Sequence, residues 1–390
     1  MHQIKTKIRN FKLIYFLVFF ISIADALAGY IQSSYLNEYV SLSNIGLIIA
    51  AASLIVLIIT LFYHQLVIKI SNYRITIVLF ILSIISCYLL YTGQSPTIIL
   101  TAFIIRYVCF MFLATSMDIF LENISDNAHT GAIRTKFLTI INIAWLASPI
   151  IMSKIVGVEN NYHTIYLVGA VILTIILFVI LANKRYLKHS VNYKKHDIKK
   201  AFSLMWKRKN ILAVFRSSVL LNFFYFVVSI YIPIYLHQQI GLSWQVLGIM
   251  FTIMLLPFVL FQIPAGILAD KYIGEKEMLI SGHFIMALSM GLIFATTTSN
   301  VIIWGSLLFL SRIGAALAEA MQETYFYKQV SIRDVDLISL FRRSRSLGWL
   351  TAAIVSFVAL KFLAMPYLFA IIGIILFINC LSLGKLVDTK

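Results

Sequence analysis

Charge is scarce in this sequence. Asp, Glu, Lys and Arg together make up 12% of 390 residues, and 15 residues are acidic. A soluble domain carries roughly a quarter charged residues and is about 45–50% apolar. Here the apolar fraction is 61% and the mean hydropathy is +0.93. A soluble fold is excluded, because an apolar excess of this size needs lipid as its solvent. Cysteine is scarce as well: Cys87, Cys109 and Cys380 stand alone in apolar runs, with no CxxC spacing and no nearby histidine to complete a metal site. They read as small packing residues. The eight histidines are scattered, mostly in loops or at the ends of apolar runs, so neither a metal cluster nor a nucleophile with its base is legible. No long soluble segment is present either. A membrane-embedded enzyme or a receptor, the alternative class for such a chain, would call for one or the other; the expectation is no enzyme and no cofactor.

What is present is a series of long apolar runs separated by short charged clusters. At roughly 20 residues per membrane helix, twelve spans fit the length. They are expected near 12–33, 43–63, 75–93, 97–121, 137–156, 163–182, 210–236, 243–266, 277–297, 301–327, 338–360 and 366–384. The net charge of +17 would suit a nucleic-acid partner if the basic residues shared one surface, but they sort instead by side of the membrane. With the N-terminus inside, 27 of the 32 basic residues fall in inner segments. Lys154 and Lys361 fall at outer ends, and Arg106, Arg216 and Arg312 lie within spans. The charge therefore reports topology, with both termini cytoplasmic in a cell (inner or plasma) membrane and no nucleic-acid partner.

The basic start, the apolar stretch and Ala26-Leu27-Ala28 together imitate a secretory signal with its cleavage site. The first span has a counterpart 200 residues later, so its removal would break a symmetry. Tyr35-Leu36 followed by Leu42-Ser43 matches Tyr235-Leu236 followed by Leu242-Ser243. Arg106 in the fourth span matches Arg312 in the tenth, and Asp118 has an acidic counterpart near Glu323. Three landmarks in one order point to internal duplication. The domains are accordingly 1–182, an N-terminal six-helix half; 183–209, a basic cytoplasmic central loop; and 210–390, a C-terminal six-helix half. In the central loop Ile198, Ala201, Phe202 and Met205 recur at helical spacing, which fits either a short amphipathic helix on the cytoplasmic leaflet or an irregular basic linker.

The most specific local pattern is Gly266-Ile267-Leu268-Ala269-Asp270-Lys271-Tyr272-Ile273-Gly274-Glu275-Lys276, at the inner end of the eighth span. It resembles the signature loop of the major facilitator superfamily: a glycine, three residues, an aspartate, a basic residue, an aromatic, then a glycine and further basic residues. Ile273 displaces the second glycine by one position, and Glu275 stands where a basic residue is usual. The counterpart between spans two and three reads Gln65-Leu66-Val67-Ile68-Lys69-Ile70-Ser71-Asn72-Tyr73-Arg74, with Lys69 in the aspartate's place. Arg106 resembles the family's membrane arginine, although Cys109 and Phe110 replace the glutamine and glycine expected after it. The fifth span, with Trp145-Leu146-Ala147-Ser148-Pro149, lacks the repeated glycines of proton-linked drug exporters. The resemblance implies an all-α integral membrane protein of two pseudo-symmetric six-helix halves about an axis along the membrane normal. It further implies a cavity between the halves near the midplane and transport by alternating access. It also implies a cytoplasmic gate at Gly266, Asp270 and Lys271. Physically, a glycine one turn before an aspartate lets a neighbouring helix approach closely.

Ionisable groups inside a membrane cost roughly 2.5–3.5 kcal/mol each even on a lenient scale, so each needs a reason. At about 1.5 Å per residue, Arg106 and Arg312 lie about 13.5 and 16.5 Å below the outer ends of their spans, and Asp25 about 19.5 Å from the inner end of its own. Asp25, Arg106 and Arg312 are candidates for substrate binding or coupling, or else for a structural ion pair between helices. Glu319, two turns along the face of Arg312, is shared between a coupling role and a gate network with Glu323, Arg342, Arg343 and Arg345. Asp118 and Glu122, facing Arg134 and Lys136, hold the similar place in the first half. Asn142, Trp145, Asn222 and Tyr225 fit a cavity lining or ordinary packing between helices. The expected partners are membrane lipid, a small-molecule solute and protons or another coupling cation, with the chain acting as a monomer.

Overall fold

The structure, a computed structural model, describes residues 2–124, 130–187, 198–330 and 335–387. Among these residues no strand occurs, and twelve helices are long and apolar enough to cross a membrane. In order they are Asn10–Gly29, Leu42–Tyr63, Asn72–Thr92, Pro96–Ile124, Lys136–Val156, Tyr162–Ala182, Lys209–Gln239, Trp244–Ile273, Glu275–Ala295, Val301–Gln329, Leu340–Phe362 and Met365–Leu383. Each falls where an apolar run was expected. Short polar residues open several of them. Asn161 Oδ1 accepts from the Thr164 amide at 3.3 Å before the sixth span, and Asn300 Oδ1 accepts from the Ile302 amide at 2.9 Å before the tenth. Large apolar side chains such as Phe178 and Leu381 stand on the outside, as a lipid-facing surface requires.

The chain divides into two compact units, Met1–Ser41 with Ala51–Lys194, and Leu42–Ala50 with Lys195–Lys390. In the first unit the first span packs on the fourth, fifth and sixth, the third on the fourth and sixth, and the fifth on the sixth. The second unit repeats all six pairings six spans later: seventh on tenth, eleventh and twelfth, ninth on tenth and twelfth, eleventh on twelfth. Two pseudo-symmetric six-helix halves therefore share one packing plan. The core of the first unit is built on Leu17, Phe80, Leu113, Met117, Leu173 and Ile180, all buried.

The second unit takes in the N-terminal turns of the second span for a local reason. A Cβ at Gly46 would stand 2.7 Å from the Ala353 carbonyl oxygen and 3.0 Å from the Phe357 nitrogen, so only glycine lets that backbone lie so close. Within the central segment, Ile198–Lys207 forms a helix that packs on the helix Val335–Arg342 and on the seventh span. Met205 is buried there, while Phe202 and Trp206 stack on each other in the open.

Candidate functional site: two buried arginines

Each unit holds one arginine deep in its packing. In the first unit, the fourth span carries Arg106, which is 3% exposed. One of its terminal nitrogens donates to the Ala24 carbonyl at 3.3 Å and to Asp25 Oδ1 at 3.4 Å, both on the first span. The guanidinium lies 4.5 Å from the centre of the Phe110 ring and 5.6 Å from that of Tyr166. The pair is lopsided: the Arg106 side chain is 4% exposed and that of Asp25 42%. Sequence reasoning placed both residues, and the structure brings them together.

In the second unit, the tenth span carries Arg312, 2% exposed. Its guanidinium lies 5.6 Å from the centres of both the Phe224 and the Tyr225 rings, on the seventh span. Its Nε is buried without a hydrogen-bond partner, as is the Nε of Arg106, and the Tyr225 hydroxyl interacts with the Glu319 carboxylate. The halves match here residue for residue, since positions 24 and 25 become 224 and 225 at the offset of 200. Ala24 and Asp25 face one arginine; Phe224 and Tyr225 face the other.

Glu319 is half-buried and accepts a hydrogen bond from Gln262 Nε2 at 3.1 Å. Tyr225, Glu323 and Arg345 share its electrostatic surroundings. Gln262 was not foreseen. It sits just past a break in the eighth span, where the helix Trp244–Leu260 stops and Gln262–Leu268 begins. Pro264 has no amide hydrogen to offer the Leu260 carbonyl four residues back, which accounts for the break. A glutamine and a proline interrupting the apolar run were the available signal. His283 was also missed: it is fully buried in the ninth span, with Nδ1 3.1 Å from the Leu279 carbonyl and Nε2 3.0 Å from the Ser217 hydroxyl. The carbonyl contact makes Nδ1 the donor, which leaves Nε2 to accept from Ser217.

At the signature loop the outcome is mixed. Lys271 is exposed, and the side chain of Asp270 lies outside the described residues, as does that of Arg134. Among the described residues no heavy atom comes within 4 Å of the place a Cβ would take on Gly266, so the close helix approach expected there is not made. Close approach occurs instead between the ninth and tenth spans, where a Cβ on Gly282 would stand 2.8 Å from the Gly314 carbonyl oxygen and the Ala318 nitrogen. Glu275, the departure from the family pattern, has a local explanation. It is 1% exposed at the first turn of the ninth span, where the helix dipole favours a carboxylate, and it pairs with Lys328 at the end of the tenth. Asp118 is half-buried and Glu323 exposed, and both are engaged by neighbouring groups. Arg216 hydrogen-bonds to Asn379 at 3.2 Å and to Ser382.

Between the first two spans, burial lifts the Glu38 carboxyl above the usual carboxylate range, with His163 at 3.9 Å opposing the shift. Among the described residues no group of three or more His, Cys, Asp or Glu stands where it would hold a metal ion.

The fold matches solved structures across nearly the whole chain. A peptide transporter POT in complex with sulfate is 13% identical with a TM-score of 0.75, over 96% of this chain and 94% of that one. The nucleoside transporter NupG is 16% identical with a TM-score of 0.76, over 96% and 99%. A POT family transporter in complex with 5-aminolevulinic acid is 13% identical with a TM-score of 0.75, over 96% and 95%. Among curated proteins nothing matches. The sequence pattern that defines the Major Facilitator Superfamily matches residues 14–331, well over half of the chain. On that match, and with twelve spans in two like halves, the chain belongs to the Major Facilitator Superfamily.

Proposed function

We propose that the chain is a secondary transporter that moves a small solute across the cell membrane as a monomer, by alternating access, with a proton as the coupling ion. The observation that carries the coupling is the lopsided pair of Asp25 and Arg106. Arginine keeps its charge at any physiological pH, whereas a carboxylate can take a proton. The Asp25 side chain is 42% open and that of Arg106 4%, so a proton can reach the acid while the base stays enclosed. Protonation cancels the attraction and leaves Arg106 tied to the first span by the Ala24 carbonyl, which loosens the first span from the fourth. A pair made and broken by one proton is a two-state element of the kind that alternating access needs.

The gate reading assigns Gly266, Asp270, Lys271 and Glu323 to the cytoplasmic gate of the second half and Asp118 to that of the first, with Glu319 shared between gate and coupling. The predominance of inner-side basic residues supports cytoplasmic termini. Solved transporters of like fold were captured with sulfate or 5-aminolevulinic acid, which supports a solute of that size.

The test begins with a thermal-stability screen of purified protein against sugars, organic acids, amino acids and cationic drugs, because a bound solute stabilises the native state by mass action. In proteoliposomes, Asp25→Asn is expected to abolish accumulation driven by a pH gradient while sparing exchange of solute between the two sides. Uphill accumulation at the wild-type rate in Asp25→Asn overturns the coupling role. Single-cysteine labelling checks topology: positions near Asn44 and Gln94 should react from outside, and positions near Asn72 and Lys195 only from inside.

A further inference from the structure

We infer that Arg312, flanked by Phe224 and Tyr225, is the binding site for an oxyanion carried by the solute, which makes the transported class small carboxylates, phosphates or sulfates. The inference rests on the transporter reading for its meaning but on separate residues for its support.

The argument starts from what a buried guanidinium requires. It carries a permanent charge and five N–H donors, and enclosure without partners is unfavourable on both counts. Arg106 has its charge answered from within the chain, by a carboxylate and a backbone carbonyl at 3.4 and 3.3 Å from one terminal nitrogen, although its Nε is left without a partner. Arg312 is equally enclosed, and among the described residues it has neither a hydrogen bond nor an ion pair. Its neighbours are two aromatic rings, which attract the cation through their faces but accept none of its in-plane hydrogens.

The acids nearby do not supply the missing partner. Glu319 stands seven residues, or about 10.5 Å, along the same helix. It is held by Gln262 and by the Tyr225 hydroxyl, with Glu323 and Arg345 around it. Glu323 is a further turn away. The position that gives Arg106 its carboxylate is occupied here by Tyr225, a phenol that is turned to Glu319 and brings Arg312 no negative charge. The unanswered donors are those of the guanidinium, which lies beside the paired Tyr225 and Glu319. An oxyanion answers them, since its oxygens accept two parallel bonds from the guanidinium fork. A neutral sugar or a cation would leave the charge unanswered.

The experiment uses the full chain in detergent and in proteoliposomes. The probes are inorganic phosphate, sulfate and succinate, with succinamide as the neutral match and choline as the cation. The expected result is a saturable rise in Tm with at least one oxyanion and none with succinamide or choline; which anion acts separates carboxylate from phosphate and sulfate recognition. Arg312→Gln should weaken that anion by about tenfold or more, and Arg312→Lys, which keeps the charge without the fork, by less. Arg312→Met should also raise the Tm of the ligand-free protein, because it removes an unanswered charge, whereas a guanidinium with a structural role would make the same change lower it. The inference is overturned if no oxyanion gives a saturable shift, if Arg312→Gln binds the anion as well as the wild type, or if Arg312→Met lowers the Tm. Anion binding without exchange of labelled anion in proteoliposomes would sink the transporter reading and leave the site standing. Exchange of a neutral solute that is indifferent to Arg312→Gln would do the reverse.

Discussion

The two halves share six helix pairings and a buried arginine, yet they treat that arginine in opposite ways. In the first half, Asp25 closes on Arg106 and the charge is neutralised inside the chain. In the second, the residue 200 positions later is Tyr225, and among the described residues no acid pairs with Arg312. A duplicated scaffold can hold its packing plan while one exchanged side chain turns a closed ion pair into a site that asks for a ligand. The sharpest way to break this comparison is to carry the first half's solution into the second. Tyr225→Asp puts a carboxylate where Asp25 stands relative to its arginine. Pairing with Arg312 is then expected to cost the anion about 2–3 kcal/mol of binding, roughly 100-fold in Kd. Isothermal titration of the anion found in the stability screen gives the answer. An unchanged Kd would mean that the two positions are not equivalent in space.

The halves also differ in how closely backbones approach. The third and fourth spans contain no glycine, whereas Gly282 of the ninth and Gly314 of the tenth meet backbone to backbone. A methyl group at Gly282 would fall 2.8 Å from backbone atoms that cannot swing aside. Gly282→Ala is therefore expected to cost about 1–3 kcal/mol of stability. Gly169→Ala in the sixth span, whose nearest neighbours would be 3.9 Å away, should stay within about 0.5 kcal/mol. Thermal unfolding in one detergent measures both, and equal losses would remove the contrast.

A third comparison is conformational. Between the second and third spans Ser71 has φ 82 and ψ 144; between the eighth and ninth, Gly274 has φ 109 and ψ 152. This is nearly one backbone shape, in a region that L side chains rarely enter, so the first half carries a strain that glycine relieves in the second. Ser71→Gly should stabilise by about 1 kcal/mol, reduced by a few tenths for losing the weak bond its hydroxyl accepts from the Arg74 amide at 3.5 Å. Gly274→Ser should destabilise by about as much. Opposite signs in the two loops are the result to look for.

The spans were legible because a membrane writes its thickness into the sequence as apolar runs of roughly 20 residues. The landmark Arg106 and Arg312 were legible because a charge in such a run is costly and stands out. Their environments were not. That Arg106 has Asp25 beside it, and that Arg312 has two rings and, among the described residues, no acid, depends on which faces of the first and seventh spans turn inward. Although the offset of 200 pairs Asp25 with Tyr225 in the sequence, nothing short of the fold says that both face an arginine. Gln262 and His283 stayed hidden for another reason: single polar residues in apolar runs are common, and only the break at Phe261 and the burial of the imidazole set these two apart.

The smallest expected effect on stability concerns the one reading that the packing does not bear out. Gly266 was expected to admit a neighbouring helix, but among the described residues the space beside it is open to 4 Å, while Gly282 carries the close contact in the same half. In a helix, alanine is favoured over glycine by about 1 kcal/mol. Gly266→Ala should therefore leave stability unchanged or raise it by up to about that amount, in contrast to Gly282→Ala. Transport separates the two meanings of an open glycine. If the gate closes on Gly266 in another state of the cycle, the added methyl meets a backbone only then, and exchange in proteoliposomes slows although the resting protein is no less stable. If Gly266 merely belongs to a turn, both stability and exchange stay at or above wild type. A loss of stability comparable to that of Gly282→Ala would contradict both meanings, because it would require a close contact at Gly266 in the resting structure.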